Sequence, residues 1–424
     1  MSSEIIFIHP PSNMLEKQKM VPPMAPLQLI AVLREKRENR HESQFLDVGE
    51  SEVDVDQLSK ASYLLFTAAT PQYPETLKIV RQVIQERRKG SRKFPVLAIG
   101  GPHASTMSAG LLKDGWDYVC VGDGEKIITP LVEGKINKGV VVGSRVTNLD
   151  ELPIPAYDIL DKNVYRRNET YKPTFPVMTS RGCPRDCIFC YKDGRTVRFH
   201  SPEYVIAVEK TIKNLGVDQI VKYDDTFTLK PSRVIEICKG IKPLEINWRC
   251  NGDTKSLISK ESQELSMLQH MRQAGCELIS IGVDGPDQAS LDYLEKGTTI
   301  DQCEKAISLV REAKMFVKVY LIYVPGRGFE YAEKLKSFIL KNEPDFVQLS
   351  VLTPLPGSKI YKNPPKYGLN FDPSKIDGLF YQSRSGVRDG GTGLLNEEDV
   401  LALKDVDDFL EKWRVNHTKP IMPI

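Results

Sequence analysis

Arg181-Gly182-Cys183-Pro184-Arg185-Asp186-Cys187-Ile188-Phe189-Cys190-Tyr191 carries three cysteines at Cys-x3-Cys-x2-Cys spacing, and the nearest cysteines on either side are Cys120 and Cys238. A [4Fe–4S] cluster has four irons and usually four thiolate ligands. Three thiolates on one loop therefore hold three irons and leave the fourth open to a small molecule. A zinc knuckle is the competing assignment, but structural zinc pairs two Cys or Cys/His halves, and no second half is present. Cys183, Cys187 and Cys190 are the candidate metal ligands. Just before them, Pro176-Val177-Met178-Thr179-Ser180 reads as a short strand. It would deliver the loop at its carboxyl end, where β/α barrels build their active sites.

Downstream, apolar β-type runs alternate with helical stretches. Gln219 to Thr228 reads as a strand and its loop, Glu245 to Asp253 and Leu278 to Gly285 as the next strands, and Phe316 to Gly326 and Phe346 to Ser358 as the last two. The expectation is a partial barrel of six β/α units. Ser201 and Pro202 suit the N-cap and first position of a helix, and His200 beside them reads as a surface or capping residue. Asp224 and Asp225 form an adjacent carboxylate pair at a strand end, suited to acid/base work. Successive side chains on extended backbone point opposite ways, so both cannot face one site. Asp225 and Tyr223 are the catalytic candidates, Tyr223 as a hydrogen donor or a packing ring. Residues 386–393 read as a glycine-rich loop, and Asn396 to Trp413 as an amphipathic helix capped at Asn396.

Upstream of the cysteines, Ile5 to Ile8, Ser43 to Asp47, Tyr63 to Thr67 and Val96 to Ile99 read as strands, with a helix over Pro26 to Arg37. This alternation predicts a doubly wound, Rossmann-like α/β domain. Its loops, Thr67-Ala68-Ala69-Thr70, Gly100-Gly101-Pro102-His103 and Gly122-Asp123-Gly124-Glu125, would gather at the carboxyl edge of the sheet, where such folds bind ligands. Lys126 to about Lys172 reads as a connector, broken by Pro153 and Pro155. The predicted organisation is 1–145 for the first domain, 146–172 for a linker, 173–360 for the barrel and 361–424 for a small C-terminal extension.

The cysteine spacing, with Phe189 just before the last thiol, resembles the radical S-adenosylmethionine (AdoMet) enzymes. The phrases Pro23-Met24-Ala25-Pro26, Gly100-Gly101-Pro102-His103 and Gly122-Asp123-Gly124-Glu125 resemble the cobalamin-binding domain that precedes the radical domain in one large subfamily. The resemblance implies a [4Fe–4S] cluster, AdoMet on its open iron, and cobalamin (B12) in the first domain. It implies AdoMet-side contacts for Phe189, Asp224, Arg249, Asp284 and Tyr320. On the corrin side it implies Met24, Ala25, Thr67, Thr70, Gly100, Gly101, Pro102, His103, Gly122, Gly124 and Glu125. No Asp-x-His-x-x-Gly sequence is present, so a histidine below the corrin is not expected, and His103 stands in a different context. For Asp224 and Asp225 alike, loop-holding and cofactor contact stay equally open. At the fourth strand Asp284 stands where relatives usually carry glutamate, one methylene longer.

The 424 residues carry a formal net charge of +2 without a basic block, which argues against nucleic acid as the main partner. Neither a signal peptide nor a span-length apolar run is legible, so a reducing cytoplasmic setting is the expectation. The five remaining cysteines read as buried thiols. The resemblance implies a cobalamin-dependent radical methyltransferase acting on an unactivated carbon of a peptide, protein or natural product. A dehydratase, cyclase or epimerase with a vestigial first domain is the alternative. Either needs an electron donor such as flavodoxin or ferredoxin.

Overall fold

The computed structural model describes residues 4–12, 18–35, 42–49, 53–89, 94–166, 172–191, 194, 196–371 and 394–417. It divides into two compact units, Met1–Val164 and Tyr165–Ile424. The glycine-rich loop expected over 386–393 lies outside the described residues.

The first unit is built on six parallel strands: β1 (Glu4–His9), β2 (Glu42–Asp47), β3 (Tyr63–Thr67), β4 (Val96–Gly100), β5 (Tyr118–Val121) and β6 (Gly139–Val142), in the order β2-β1-β3-β4-β5-β6. Parallel sheets are covered on both faces, and β1 shows how the sequence achieves this. Ile6 and Ile8 enter one apolar cluster with Leu64, Phe66 and Ile99, while Ile5 and Phe7 enter the opposite one with Ile30, Leu65 and Ala98. Each fully buried side chain of this size contributes about 1.5–3 kcal/mol. The helix Met24–Glu35 lies on the second of these faces through Ile30, Ala31 and Leu33. Strand order reverses direction between β1 and β3, which places the ligand crevice at their carboxyl ends.

Part of the expected connector belongs to this sheet. A short helix at Ile128–Val132 and the edge strand β6 both precede residue 146. Residues 146–160 also pack on the first unit. Val146, Leu149 and Leu152 are buried together, Gln28 donates to the Pro153 carbonyl at 2.9 Å, and Arg34 pairs with Asp158 at 2.8 Å.

The second unit holds β7 (Thr174–Val177), a two-residue antiparallel ribbon of β8 (Ser180–Arg181) and β9 (Arg198–Phe199), then β10 (Gln219–Lys222), β11 (Asn247–Gly252), β12 (Cys276–Asp284), β13 (Phe316–Tyr323) and β14 (Phe346–Val351). Apart from the ribbon, the six strands form one parallel sheet in chain order, β7-β10-β11-β12-β13-β14. Helices enter with the expected chemistry: Ser201 accepts from Tyr204 N at 3.2 Å ahead of Pro202. His200 is not a surface residue. It is buried, stacked on Tyr204 at 3.9 Å, because its backbone N–H donates to the Thr179 carbonyl and draws it inward.

The last helix, Glu397–His417, begins with a reciprocal cap: Asp399 N donates to Asn396 Oδ1 at 2.8 Å and Asn396 N to Asp399 Oδ2 at 3.2 Å. Asp399 is fully buried and also accepts from Gly326 N, Gly328 N and the Tyr323 hydroxyl. One carboxylate thus fixes the glycine loop that follows β13.

Candidate functional site

The cysteine loop hangs from the carboxyl ends of several strands at once. At its entry, the buried Asp224 accepts from Thr179 N and Thr179 Oγ1, both at 2.6 Å, and from Ser180 Oγ at 2.5 Å. Arg233 braces the same turn, donating to the carbonyls of Thr179 and His200 at 2.8 and 2.9 Å. Of the two readings open for Asp224, this geometry supplies loop-holding: three donors converge on one carboxylate. Tyr223 and Asp225 on either side are exposed, as alternation requires.

Within the loop, Arg185 forks onto Asp253, its Nε 2.7 Å from Oδ1. Asp253 is itself fixed, capping the short helix Thr254–Leu257 by accepting from Ser256 N at 2.9 Å. Asp186 pairs with Lys359 at 2.9 Å, and Lys359 also pairs with Glu295 at 2.5 Å. Ile188 N donates to the Leu294 carbonyl at 3.2 Å, and the Ile188 carbonyl accepts from Ile360 N at 3.1 Å. The loop is therefore clamped by groups following β10, β11, β12 and β14. Arg185, Asp253 and Lys359 were not singled out in the sequence. A cation beside a ligand cysteine and a strand-end aspartate were the signals available.

Cys183, Cys187 and Cys190 are not joined in disulfides; Cys187 is buried, Cys190 exposed, and Phe189 between them half-buried. Among the described residues no three His, Cys, Asp or Glu side chains are already drawn into a metal-holding group. The donor set itself, three unbridged thiols on one clamped turn, fits a [4Fe–4S] cluster with an open iron. The other cysteines differ in kind. Cys238, Cys250, Cys276 and Cys303 are buried and Cys120 partly so, and burial pushes the Cys120 and Cys238 thiols up to about 12. Such thiols are poor ligands at neutral pH.

Asp284 ends β12 with φ +69° after a shift in strand register, and its carboxylate is paired with Lys296. Burial works against the Lys296 charge, but Asp284 and the Cys187 thiolate outweigh it and raise its pKa. Arg249 and Tyr320 lie on one face of the sheet: registers run Arg249-Leu278-Phe316, then Asn251-Ser280-Lys318, then Gly282-Tyr320-Gln348. On β11, β13 and β14 this face is half-open at Arg249, Asn251, Lys318, Tyr320, Gln348 and Ser350, while Trp248, Cys250, Val319 and Leu349 on the other face are buried. A parallel sheet that leaves one face accessible and polar makes room for a ligand, against the usual burial of both faces.

In the first unit the loops after β3, β4 and β5 are stitched together. Ala68 N donates to the Gly100 carbonyl, His103 N to the Ala68 carbonyl, and Gly122 N to Ser105 Oγ at 3.1 Å. Gly101 has φ +93°, and a Cβ there would stand 2.9 Å from the Ala68 carbonyl and 3.0 Å from Thr67 Oγ1, so only glycine fits. Gln72 bridges the crevice between β1 and β3, donating to the Pro10 carbonyl and accepting from Ala69 N. Its amide also meets His9 Nε2 at 2.9 Å, and His9 pairs with Asp47 at 3.1 Å. Gly124 packs against Leu29 of the helix Met24–Glu35, where a Cβ would stand 3.3 Å from a Leu29 methyl group. Met24 and Ala25 open that helix, with the Tyr157 hydroxyl donating to Met24 Sδ at 3.7 Å. Glu125 is half-buried beside Gly124, and Pro102 is exposed.

His103 turns away from the loop edge. Pro102 starts the helix Pro102–Leu111, and its first turn carries the imidazole inward to stack on Tyr73 at 4.0 Å, with Nδ1 3.1 Å from the Thr70 hydroxyl. Burial lowers its pKa to about 4, against a small opposing pull from Asp114. Above about pH 6.5 the ring is neutral folded or unfolded. As pH falls from there toward 4, the unfolded chain takes up a proton that the folded one refuses, at a cost reaching about 2–3 kcal/mol. Thermal unfolding followed between pH 7 and 4.5 is therefore expected to show His103→Gln losing less stability than the parent. Parallel profiles would contradict the assignment.

Residues 177–339 match the radical SAM superfamily, and the chain carries a radical SAM domain. It is 29% identical over 296 residues to an uncharacterized methyltransferase of Pyrococcus horikoshii, covering 63% of this chain and 62% of that protein. It is 27% identical over 345 residues to the anaerobic magnesium-protoporphyrin IX monomethyl ester cyclase of Cereibacter sphaeroides, covering 73% and 54% respectively. The chain thus spans 62% and 54% of the length of these curated relatives. Its fold is similar to the radical S-adenosylmethionine methyltransferase TsrM from Kitasatospora setae, solved with cobalamin and a [4Fe–4S] cluster. The TM-score is 0.62 at 17% identity, covering 85% of this chain and 74% of TsrM. Among the described residues no helix is long and apolar enough to cross a membrane.

Proposed function

We propose that this chain is a cobalamin-dependent radical AdoMet methyltransferase acting on an unactivated carbon. The observation that carries the reading is the pairing, in one chain, of a clamped three-thiol loop on a radical SAM sheet with a doubly wound unit whose glycine loops meet at its ligand-binding edge. The cluster and AdoMet would supply the hydrogen-abstracting radical and cobalamin the methyl group, chemistry that side chains cannot provide. Cys183, Cys187 and Cys190 would hold three irons. Arg185, Asp186 and Asp224 keep their loop in place through Asp253, Lys359 and the Thr179-Ser180 turn. Gly101, whose missing Cβ lets its loop pack on Thr67 and Ala68, shapes the edge that a flat ligand would approach.

The half-open face bearing Arg249 and Tyr320 orients AdoMet, and Tyr223 and Asp225 lie at the exposed strand end where a substrate proton or hydrogen is exchanged. The substrate is a peptide, protein side chain or natural product, and a flavodoxin or ferredoxin supplies the electron. The likeness to a cyclase favours a second reading, a radical cyclase that makes no methyl transfer.

Anaerobic reconstitution with hydroxocobalamin, followed by gel filtration and absorbance, separates the two. Near-stoichiometric retained corrin, reduced severalfold by Gly101→Val, is the expected result. An intact cluster that cleaves AdoMet without retained corrin would refute the methyltransferase reading.

A further inference from the structure

We propose that Lys296 and Arg185 are fixed cations that set the reduction potential of the cluster on Cys183, Cys187 and Cys190, with Asp284 and Asp253 as the positioning residues that lock them there. The inference rests on the cluster-binding part of the functional reading.

The geometry comes from two strand ends. The Ile188 N to Leu294 carbonyl hydrogen bond ties the residue after Cys187 to the turn that carries Lys296. Lys296 is held by Asp284, whose side chain is aimed by the register shift and the positive φ at the end of β12. Gly282 leaves the space: a Cβ there would lie 3.1 Å from Lys296 Nζ. On the other side, Arg185 stands in sequence between Cys183 and Cys187, and its guanidinium is forked onto Asp253. Asp253 cannot drift, since it caps a helix and its own N–H donates to Thr228 Oγ1 at 2.9 Å. Arg185 thus lies within the ligand loop itself, and Lys296 two residues beyond the carbonyl that Ile188 N binds.

Reduction passes one electron from an external one-electron donor to the cluster, with no bond made or broken. The added negative charge is stabilised more by a nearby fixed cation than the oxidised state is, and weak screening in a partly buried site preserves that difference. Asp284 then has a role distinct from cofactor contact: it keeps an ammonium group on the turn that is hydrogen-bonded to the cysteine loop.

The test uses the full chain, reconstituted anaerobically, with iron and sulfide counted and the midpoint read by spectroelectrochemistry. Lys296→Met is expected to load fully and to show about a tenfold lower reduced-to-oxidised ratio at fixed potential, about 59 mV for one electron. Lys296→Arg, which keeps the charge, is expected to stay near the parent. A loaded Met variant with the parental midpoint overturns the inference, as does an equal shift in Met and Arg variants. Lys296→Gln provides the same readout if Met disturbs packing. Loss of the cluster in both neutral variants also counts against it, because a potential-setting charge is dispensable for assembly. A parent chain that takes up no cluster refutes the functional reading itself.

Discussion

Cys187→Ala is expected to leave a folded chain that retains less than about one iron where the parent takes about four, and that makes no 5′-deoxyadenosine from AdoMet under dithionite. Two thiolates cannot hold the three irons that must be fixed if one is to stay open. The fold should survive, because the loop is clamped by groups other than its sulfurs: Arg185 on Asp253, Asp186 on Lys359, and Ile188 on Leu294 and Ile360. The buried thiol contributes only about 1 kcal/mol of packing. Cys276→Ala is the matched control. Cys276 is fully buried, and burial holds its thiol well above the ordinary range. Its loss is expected to cost about 1–2 kcal/mol of stability while iron uptake stays unchanged. A four-iron cluster and AdoMet cleavage in Cys187→Ala would remove the site from this loop.

The cysteine loop was legible because ligand spacing is a local property of sequence, and the strands around it were legible because short apolar β-type runs recur between helical stretches, even where β11, β13 and β14 bury largely alternate residues. What escaped was long-range. The strand β6 carries the apolar run Val140-Val141-Val142, but it is only four residues at a sheet edge, opened by Gly139, and too short to stand out from the stretch read as a connector. His103 read as part of a binding loop because Gly-Gly-Pro looks like a turn, but the proline begins a helix whose first turn buries the ring. The bulge that points Asp284 at Lys296 needs a positive φ at a non-glycine residue, which no pattern announces. Alternation did separate Asp224 from Tyr223 and Asp225, yet it could not say that the inward carboxylate would meet three donors forty-four and forty-five residues away.

Lys222→Met is expected to destabilise the second unit by about 3–5 kcal/mol, lowering its thermal midpoint by roughly 10 °C. Lys222 and Glu209 form an ion pair in which neither side chain is accessible to water. The ammonium also lies 4.6 Å from the Trp248 ring centroid and 5.2 Å from that of Phe227. Burial raises the Glu209 pKa, Lys222 opposes that rise, and Glu209 Oε2 has no hydrogen-bond partner. The carboxylate therefore depends on one cation, and removing that cation strands a charge that costs several kcal/mol to keep dry. Lys222→Met combined with Glu209→Leu is expected to recover most of the loss, since an apolar pair of similar volume carries no desolvation cost. If the single variant is as stable as the parent, or the double no better than the single, the pair is not what holds this interface. The consequence reaches the site through two residues: Lys222 ends β10, and Asp224 just beyond it anchors Thr179 and Ser180 at the entry to the cysteine loop. Loosening the pair should thus lower cluster retention before the chain unfolds, visible as iron loss at temperatures below the thermal midpoint.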